Sequence, residues 1–216
     1  MRLILASASP RRAELLRSAG YSFEVVVATV DESIRAGESP SGYVRRLAAE
    51  KSMAALAVMA ALKGCATASS TANATANGTG VAQAFRLADL VILGADTTVV
   101  VDGEILGKPR DDDDARDLLR RLSGKGHQVL TGVSLRQGAY EVGRVETTSV
   151  TFCALTDQDI SLYVASGEGR DKAGGYAIQG LASRFIPNIS GSYSNVVGLP
   201  VACVDELLRP LLASRP

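Results

Sequence analysis

The chain has 216 residues, and its 23 lysines and arginines equal its 23 aspartates and glutamates, so no global basic field exists to drive nucleic-acid binding and any polyanion must be met by a local cluster. An apolar fraction of 46% can fill a core, most simply in one domain or in two lobes around a cleft. Cys65, Cys153 and Cys203 form no C-x-x-C pair, Leu3 to Ala6 is too short for a secretory h-region, and the apolar stretch Met53 to Leu62 falls short of the ~20 residues of a membrane span, which together predict a soluble cytoplasmic protein without structural zinc or disulfides.

In chain order, Leu3 to Ala6 predicts a short buried strand, and Pro10 stands where the first turn of a helix tolerates it. That helix is predicted over Arg11 to Ala19, with Gly20 as its stop. Phe23 to Ala28 predicts a second strand, delivering Asp31 and Glu32 beyond its carboxyl end, and a long helix is predicted from Ser41 to Lys63. From Gly64 to about Ala84 the composition collapses to Ala, Thr, Ser, Asn and Gly, which predicts a flexible surface insert without chemistry of its own.

Asp89 to Leu93 predicts a buried strand ending at Gly94-Ala-Asp96, and Thr97 to Val101 meets Glu104 to Leu106 through the hairpin signal Asp102-Gly103. A helix over Asp112 to Leu122, strands over Gln128 to Arg136 and Arg144 to Cys153, a helix over Asp157 to Ala165 and a terminal helix over Val201 to Leu212 follow. Mixed strands and helices with several hairpins predict an α/β protein with a mixed twisted sheet flanked by helices.

Four segments carry candidate chemistry. Ser7, Ser9, Arg11 and Arg12 occupy the turn from strand into helix, which reads either as a capped helix with solvated arginines or as a phosphate cradle built on unpaired N–H groups. Lys51 interrupts a stripe of Val44, Leu47, Ala48, Ala55, Val58, Met59 and Leu62 at helical spacing. A cation on that face either snorkels to solvent or requires a partner such as Glu32 or a triphosphate. Asp96 follows a buried strand, where open α/β sheets place ligands. Asp171 to Gly180 combines Lys172, Gln179 and the pair Gly174 and Gly175 in a stretch with neither helical nor strand periodicity, either a surface turn or a binding loop. Asp111 to Asp114 reads as a capped helix start rather than a metal site, and the sole histidine, His127, as structural.

Ala6-Ser-Ala-Ser-Pro-Arg-Arg12, Gly94-Ala-Asp-Thr-Thr98, Gly107-Lys-Pro109, Asp171 to Gly180 and Gly191-Ser-Tyr-Ser-Asn-Val-Val-Gly-Leu-Pro200 follow one another in an order that resembles the Maf family of nucleoside triphosphate pyrophosphatases, from Leu3 to about Leu208. Ala177-Ile-Gln-Gly180 and Gly198-Leu-Pro200 look like the branch acting on dTTP and UTP. The resemblance implies one Maf-like domain over 1–216, two lobes around a substrate cleft, a homodimer, and a divalent cation, Mg²⁺ or Mn²⁺. It implies Asp96 as proton acceptor or metal ligand, with Glu32 as second carboxylate. Lys51, Lys108 and Lys172 would surround the triphosphate with Ser7, Arg11 and Arg12, while Thr97, Gln179 and Arg11 set substrate choice. Methylated pyrimidine triphosphates are a further substrate class under this reading. A nucleotide-binding regulator of septum formation without turnover is the alternative that the resemblance also admits.

Overall fold

A computed structural model of the chain describes residues 2–69 and 87–213. Its elements are β1 (Arg2–Ala6), α1 (Pro10–Ser18), β2 (Phe23–Val25), α2 (Pro40–Ser69), β3 (Leu90–Val101), β4 (Glu104–Leu106), α3 (Asp112–Leu122), β5 (Gly126–Gln137), β6 (Tyr140–Thr151), α4 (Asp157–Ser166), β7 (Asn188–Ser190), α5 (Tyr193–Val197) and α6 (Val201–Ala213). The strands form one seven-stranded sheet in the order β2-β1-β3-β5-β6-β7, with β4 on β3. β1 runs parallel to β2 and β3, while the β3-β5, β5-β6, β6-β7 and β3-β4 pairs are antiparallel. This is the expected mixed α/β sheet flanked by helices.

Alternation along the central strands builds cores on both faces. Leu3, Leu5, Val91 and Leu93 pack with Leu16 of α1 and Val204 and Leu208 of α6. Ile4, Leu90 and Ile92 point the other way, onto Ala55 and Met59 of α2. The carboxyl half of β3 joins a different core, in which Val99 and Val101 meet Leu118, Leu119 and Leu122 of α3, Phe152, and Ile160 and Tyr163 of α4.

Beyond shifts of up to four residues at the ends of other elements and the short β7 and α5, which carry no predicted counterpart, three differences bear on the site. The two predicted strands are parts of one 12-residue strand, Leu90–Val101, with Asp89 in the 3-10 turn before it, so Gly94 does not end a strand. It sits inside one because a helix lies against it: a Cβ at Gly94 would stand 2.2 Å from the Ala48 carbonyl oxygen and 2.8 Å from the Ser52 amide nitrogen. At Gly132, on the neighbouring strand, a Cβ would stand 2.2 Å from the Val44 carbonyl oxygen. Helix α2 thus rests its backbone directly on β3 and β5.

The second difference is that α2 continues through Gly64 to Ser69, into the start of the low-complexity segment, whose remainder at 70–86 lies outside the described residues. Its apolar stripe is narrower than the periodicity suggests. Val44, Leu47, Ala48, Ala55 and Met59 are buried, but Val58 and Leu62 are 38% and 59% exposed. The third is that β2 stops at Val25, leaving residues 26–39 without helix or strand. The hairpin after β3 is as predicted, with Asp102 and Gly103 at φ of 50° and 82°, the double positive φ of a twist-matched two-residue turn.

The edge of β3 that faces β1 has a gap. β1 pairs with Arg2-facing Leu90 through Ala6-facing Gly94, and β4 begins pairing at Val99. Ala95 to Thr98 therefore lie between two partners on that edge, while β5 runs unbroken along the other.

The backbone contact at Gly94 leads to a stability prediction. Gly94→Ala is expected to cost about 1 to 3 kcal/mol or more, because backbone cannot swing aside. Gly126, with nothing within 4 Å of a Cβ, should accept alanine with no loss. Urea midpoints check both, and equal midpoints for the two variants would contradict the contact.

Candidate active site

A cleft of about 920 Å³ opens where β3 has its gap. Its walls come from the β1–α1 turn, the 26–39 loop, α2, the Gly107–Lys108 loop and the segment from Asp171 to Gln179. All ten residues proposed from sequence, Ser7, Arg11, Arg12, Glu32, Lys51, Asp96, Thr97, Lys108, Lys172 and Gln179, line it.

At its centre Lys51 Nζ lies 2.7 Å from Asp96 Oδ1 and 2.6 Å from Glu32 Oε1. Lys51 does not snorkel. Its side chain is 13% exposed, that of Asp96 11% and that of Glu32 50%, so the ammonium is withdrawn from water and held by two carboxylates, as a buried cation requires. Burial pushes the Glu32 pKa up, but the hydrogen bond and charge of Lys51, with Lys108 and Arg12 behind, outweigh it and leave the carboxyl below its usual range. Asp96 stands two residues past the last pairing with β1, inside β3 rather than beyond its end. The ligand-accepting position is created by the neighbouring strand stopping.

The arginines divide into two kinds. Arg12 is buried and makes four framework hydrogen bonds: Nε donates to the Gly198 carbonyl at 2.8 Å, Nη1 to Ser7 Oγ at 3.1 Å and to the Ala95 carbonyl at 3.0 Å, and Nη2 to Thr97 Oγ1 at 2.9 Å. It thereby serves a carbonyl left in the gap of β3 and ties three of the sequence motifs together. Burial lowers its pKa, against the opposing pull of Asp96 and Glu32. Arg11 instead reaches an exposed carboxylate, with Nη2 3.5 Å from Asp171 Oδ2, and Lys172 pairs with the same Asp171. Ser9, at the start of α1, makes no side-chain cap bond, the condition under which a helix amino end receives an anion.

The Asp171–Gly180 segment is fixed from several sides. Gly174 N donates to the Gly107 carbonyl at 3.0 Å, tying the Lys172 loop to the Lys108 loop. Gly174, at φ of 70°, also packs where a Cβ would be 2.9 Å from Val99. Ala177 N donates to Tyr163 Oη at 2.9 Å, and Tyr176 Oη lies 2.8 Å from His127 Nε2. Gln179 remains on the exposed side of this anchored segment.

Other expectations resolve plainly. Asp111 caps α3 by accepting from Asp114 N at 2.8 Å, while Asp112, Asp113 and Asp114 pair with Arg170, Arg116 and Arg110. His127 is buried among Phe152 and Tyr176, as a structural residue. Thr97, expected to set substrate choice, shares its hydroxyl with Arg12, Thr131 and the Gly198 carbonyl. Asn195 of the fifth motif is fully buried and donates to Val129 O and Thr148 Oγ1. Tyr43 and Arg46 carry no signal in the sequence, whereas Asp171 and Tyr176 stand in the loop motif but have no individual role assigned from it.

Among the described residues no group of three or more His, Cys, Asp and Glu side chains is placed to hold a metal ion. Glu32 and Asp96 nevertheless suit a Mg²⁺-like cation, which commonly takes one or two carboxylates and completes its shell with phosphates and water. Lys51 engages one oxygen of each. The second oxygen of each carboxylate is not taken by Lys51 and would serve such a cation.

A pH dependence of stability follows from His127, whose pKa burial pushes down to about 4. The unfolded chain takes up this proton below about 6.5, the folded chain only below its lowered value, so stability is complete above the first and falls as pH drops toward the second, by up to about 1.4 kcal/mol per pH unit. Urea unfolding between pH 7.5 and 5.5, above the range in which carboxyls titrate, should show this slope in wild type and lack it in His127→Gln. Parallel curves would contradict it.

The family model described as "Maf-like protein" matches residues 2–211. A dTTP/UTP pyrophosphatase of Shewanella sp. (strain MR-7) is 46% identical over 213 residues, covering 96% of this chain and 97% of that protein. The proteins of the same name from Vibrio cholerae and Escherichia coli O157:H7 are each 45% identical, over 208 and 213 residues, covering 96% and 99% of this chain and 97% and 94% of theirs. A family model spanning residues 2–211 and coverage of nearly the whole chain at this identity mean that the chain belongs to the Maf family.

Proposed function

We propose that this protein hydrolyses dTTP and UTP between the α and β phosphates, giving the nucleoside monophosphate and pyrophosphate. The observation that carries the reading is the Asp96–Lys51–Glu32 trio, in a cleft that also presents Arg11, Lys108 and Lys172. Relatives named for this activity at 45–46% identity support it.

In this reading the triphosphate lies along the cleft with Arg11, Lys108 and Lys172 on its phosphate oxygens, where guanidinium forks and ammonium groups grip charge. Asp171 neutralises Arg11 and Lys172 until phosphate takes its place. Arg12 and Ser7 keep the cradle in shape. A water attacks the α phosphorus, the bond to the bridging oxygen breaks, and pyrophosphate leaves with that electron pair; Lys108, on its fixed loop, offsets the developing charge. Asp96, oriented by Lys51, accepts the proton of the attacking water. A divalent cation held by Glu32, Asp96 and the phosphates would acidify that water and neutralise phosphate charge. Gln179 reads the pyrimidine, since its amide both donates and accepts, as O4 and N3–H require. Such a contact is worth about 1 to 3 kcal/mol, enough to rank pyrimidines over purines and not to separate uracil from thymine, so methylated pyrimidine triphosphates belong to the same substrate class.

The setting we propose is a single cytoplasmic domain acting as a homodimer. No helix among the described residues is long and apolar enough to cross a membrane, and the family resemblance supplies the expectation of a dimer.

Pyrophosphate release from dTTP, UTP, CTP, GTP and methylated GTP is expected to be highest for dTTP and UTP, to stop on chelation and to return with Mg²⁺ or Mn²⁺. Asp96→Asn should fold normally and lower kcat by on the order of 10² to 10⁴. Binding without turnover across the panel would instead favour the regulator of septum formation.

A further inference from the structure

Glu32 sits in residues 26–39, a 14-residue connection without helix or strand, a length at which loops in compact domains are commonly functional. This connection forms a wall of the cleft, contributing Val27, Val30, Glu32 and Ile34. A carboxylate within 2.6 Å of Lys51 cannot be kept there by so long a loop unless something holds its backbone.

That hold comes from one turn of α2. Arg46 Nη1 reaches the Asp31 carbonyl at 3.4 Å, Tyr43 Oη donates to the Glu32 carbonyl at 3.0 Å, and Arg46 Nη2 donates to the Ser33 carbonyl at 2.9 Å. Three successive peptide carbonyls, centred on Glu32, are taken by two side chains. The same guanidinium grips Glu38 with two bonds, Nε to Oε1 at 2.7 Å and Nη2 to Oε2 at 2.8 Å, and meets Glu50 at 3.2 Å. Arg46 and Glu38 are 12% and 11% exposed, so this is not a solvated surface pair. The Arg46 hydrogen bond holds the Glu38 carboxyl down at about 2, and Tyr43 stays a neutral donor, its pKa pushed up to about 12 by burial and by Asp96 and Glu32. Arg46 also stacks its guanidinium 5.6 Å from the Tyr43 ring.

We infer that Arg46, with Tyr43, is a positioning residue that sets the Glu32 carboxylate on Lys51 by clasping the loop backbone to α2. The inference rests on the reading of Glu32 as a working carboxylate of the proposed reaction. Since Lys51 lies five residues beyond Arg46 on the same helix, the clasp references both partners of the ion pair to one rigid element. Lysine cannot replace this arginine, because a single ammonium has no planar fork to satisfy a carboxylate and two carbonyls together.

A double-mutant cycle tests it. Arg46→Met is expected to lower kcat for dTTP by about 10²-fold, the scale of a 1 Å misplacement, with Arg46→Lys rescuing little. Added to Glu32→Gln, Arg46→Met should change kcat by less than about twofold, because the group it positions is already gone. An equal loss on both backgrounds would overturn the inference. Near-normal turnover by Glu32→Gln would remove the reading of Glu32 itself, and hydrogen exchange then decides the clasp: amides 28–36 should exchange faster in Arg46→Met, and unchanged protection would refute it. If Arg46→Met does not fold, Tyr43→Phe, which deletes only the bond to the Glu32 carbonyl, carries the same cycle and the same exchange measurement.

Discussion

Everything at the active site depends on how closely α2 lies on the sheet. At Gly94 and Gly132 the helix backbone occupies the space that side chains would take, so Ala48 and Val44 approach the strands at backbone distance and Lys51, less than one turn on from Ala48, descends beside Asp96. An alanine at either glycine would lift the helix, and an ammonium whose hydrogen bond is 2.7 Å long tolerates no such lift. The contact also lets a cation be buried. Lys51 meets Asp96 from β3 and Glu32 from the 26–39 loop, and the pairing offsets the desolvation that would otherwise expel it.

The second organising feature is the interruption of pairing along β3. β1 stops after Ala6 and β4 starts at Val99, and the strand edge between them is where the motifs from separate parts of the chain meet. Arg12 fills the gap from one side, bonding the Ala95 carbonyl, Thr97 and Gly198. Its charge is thereby spent on framework. Arg11 and Lys172 share an exposed carboxylate that phosphate can displace, and Lys108 lies on a loop tied to Lys172's loop through Gly174 N and the Gly107 carbonyl. Adjacent arginines in one motif thus differ in kind: one builds the cradle and the other is available to what enters it.

Much of the sheet was legible from the sequence, because local signals fix it. The Asp102-Gly103 hairpin, the apolar runs of β1 and β3, and the acidic cap of α3 are all short-range signals. No break exists between Leu93 and Thr97, and the sequence cannot show this, because Gly94 signals only that a side chain is absent, not whether the reason is a turn or a distant helix whose Ala48 and Ser52 lie against it. Lys51 was readable as an anomaly on an apolar face, and the structure supplies its partners. Arg46 and Tyr43 carried no such signal, since an arginine off the apolar stripe of a helix looks like any solvated residue until the 26–39 loop folds over it. Thr97 and Arg12 belong to separate motifs that both line the cleft, and only the structure shows the hydrogen bond between them.

The most direct measurement is a crystal structure with a dTTP analogue that cannot be cleaved between its α and β phosphates. The account predicts the α phosphorus over the gap between β1 and β4, within reach of Asp96 while Lys51 still bridges to Glu32, with Arg11 and Lys172 released from Asp171 onto phosphate and Gln179 on the pyrimidine edge. A triphosphate bound away from Asp96, or one that leaves Arg11 and Lys172 on Asp171, would contradict it.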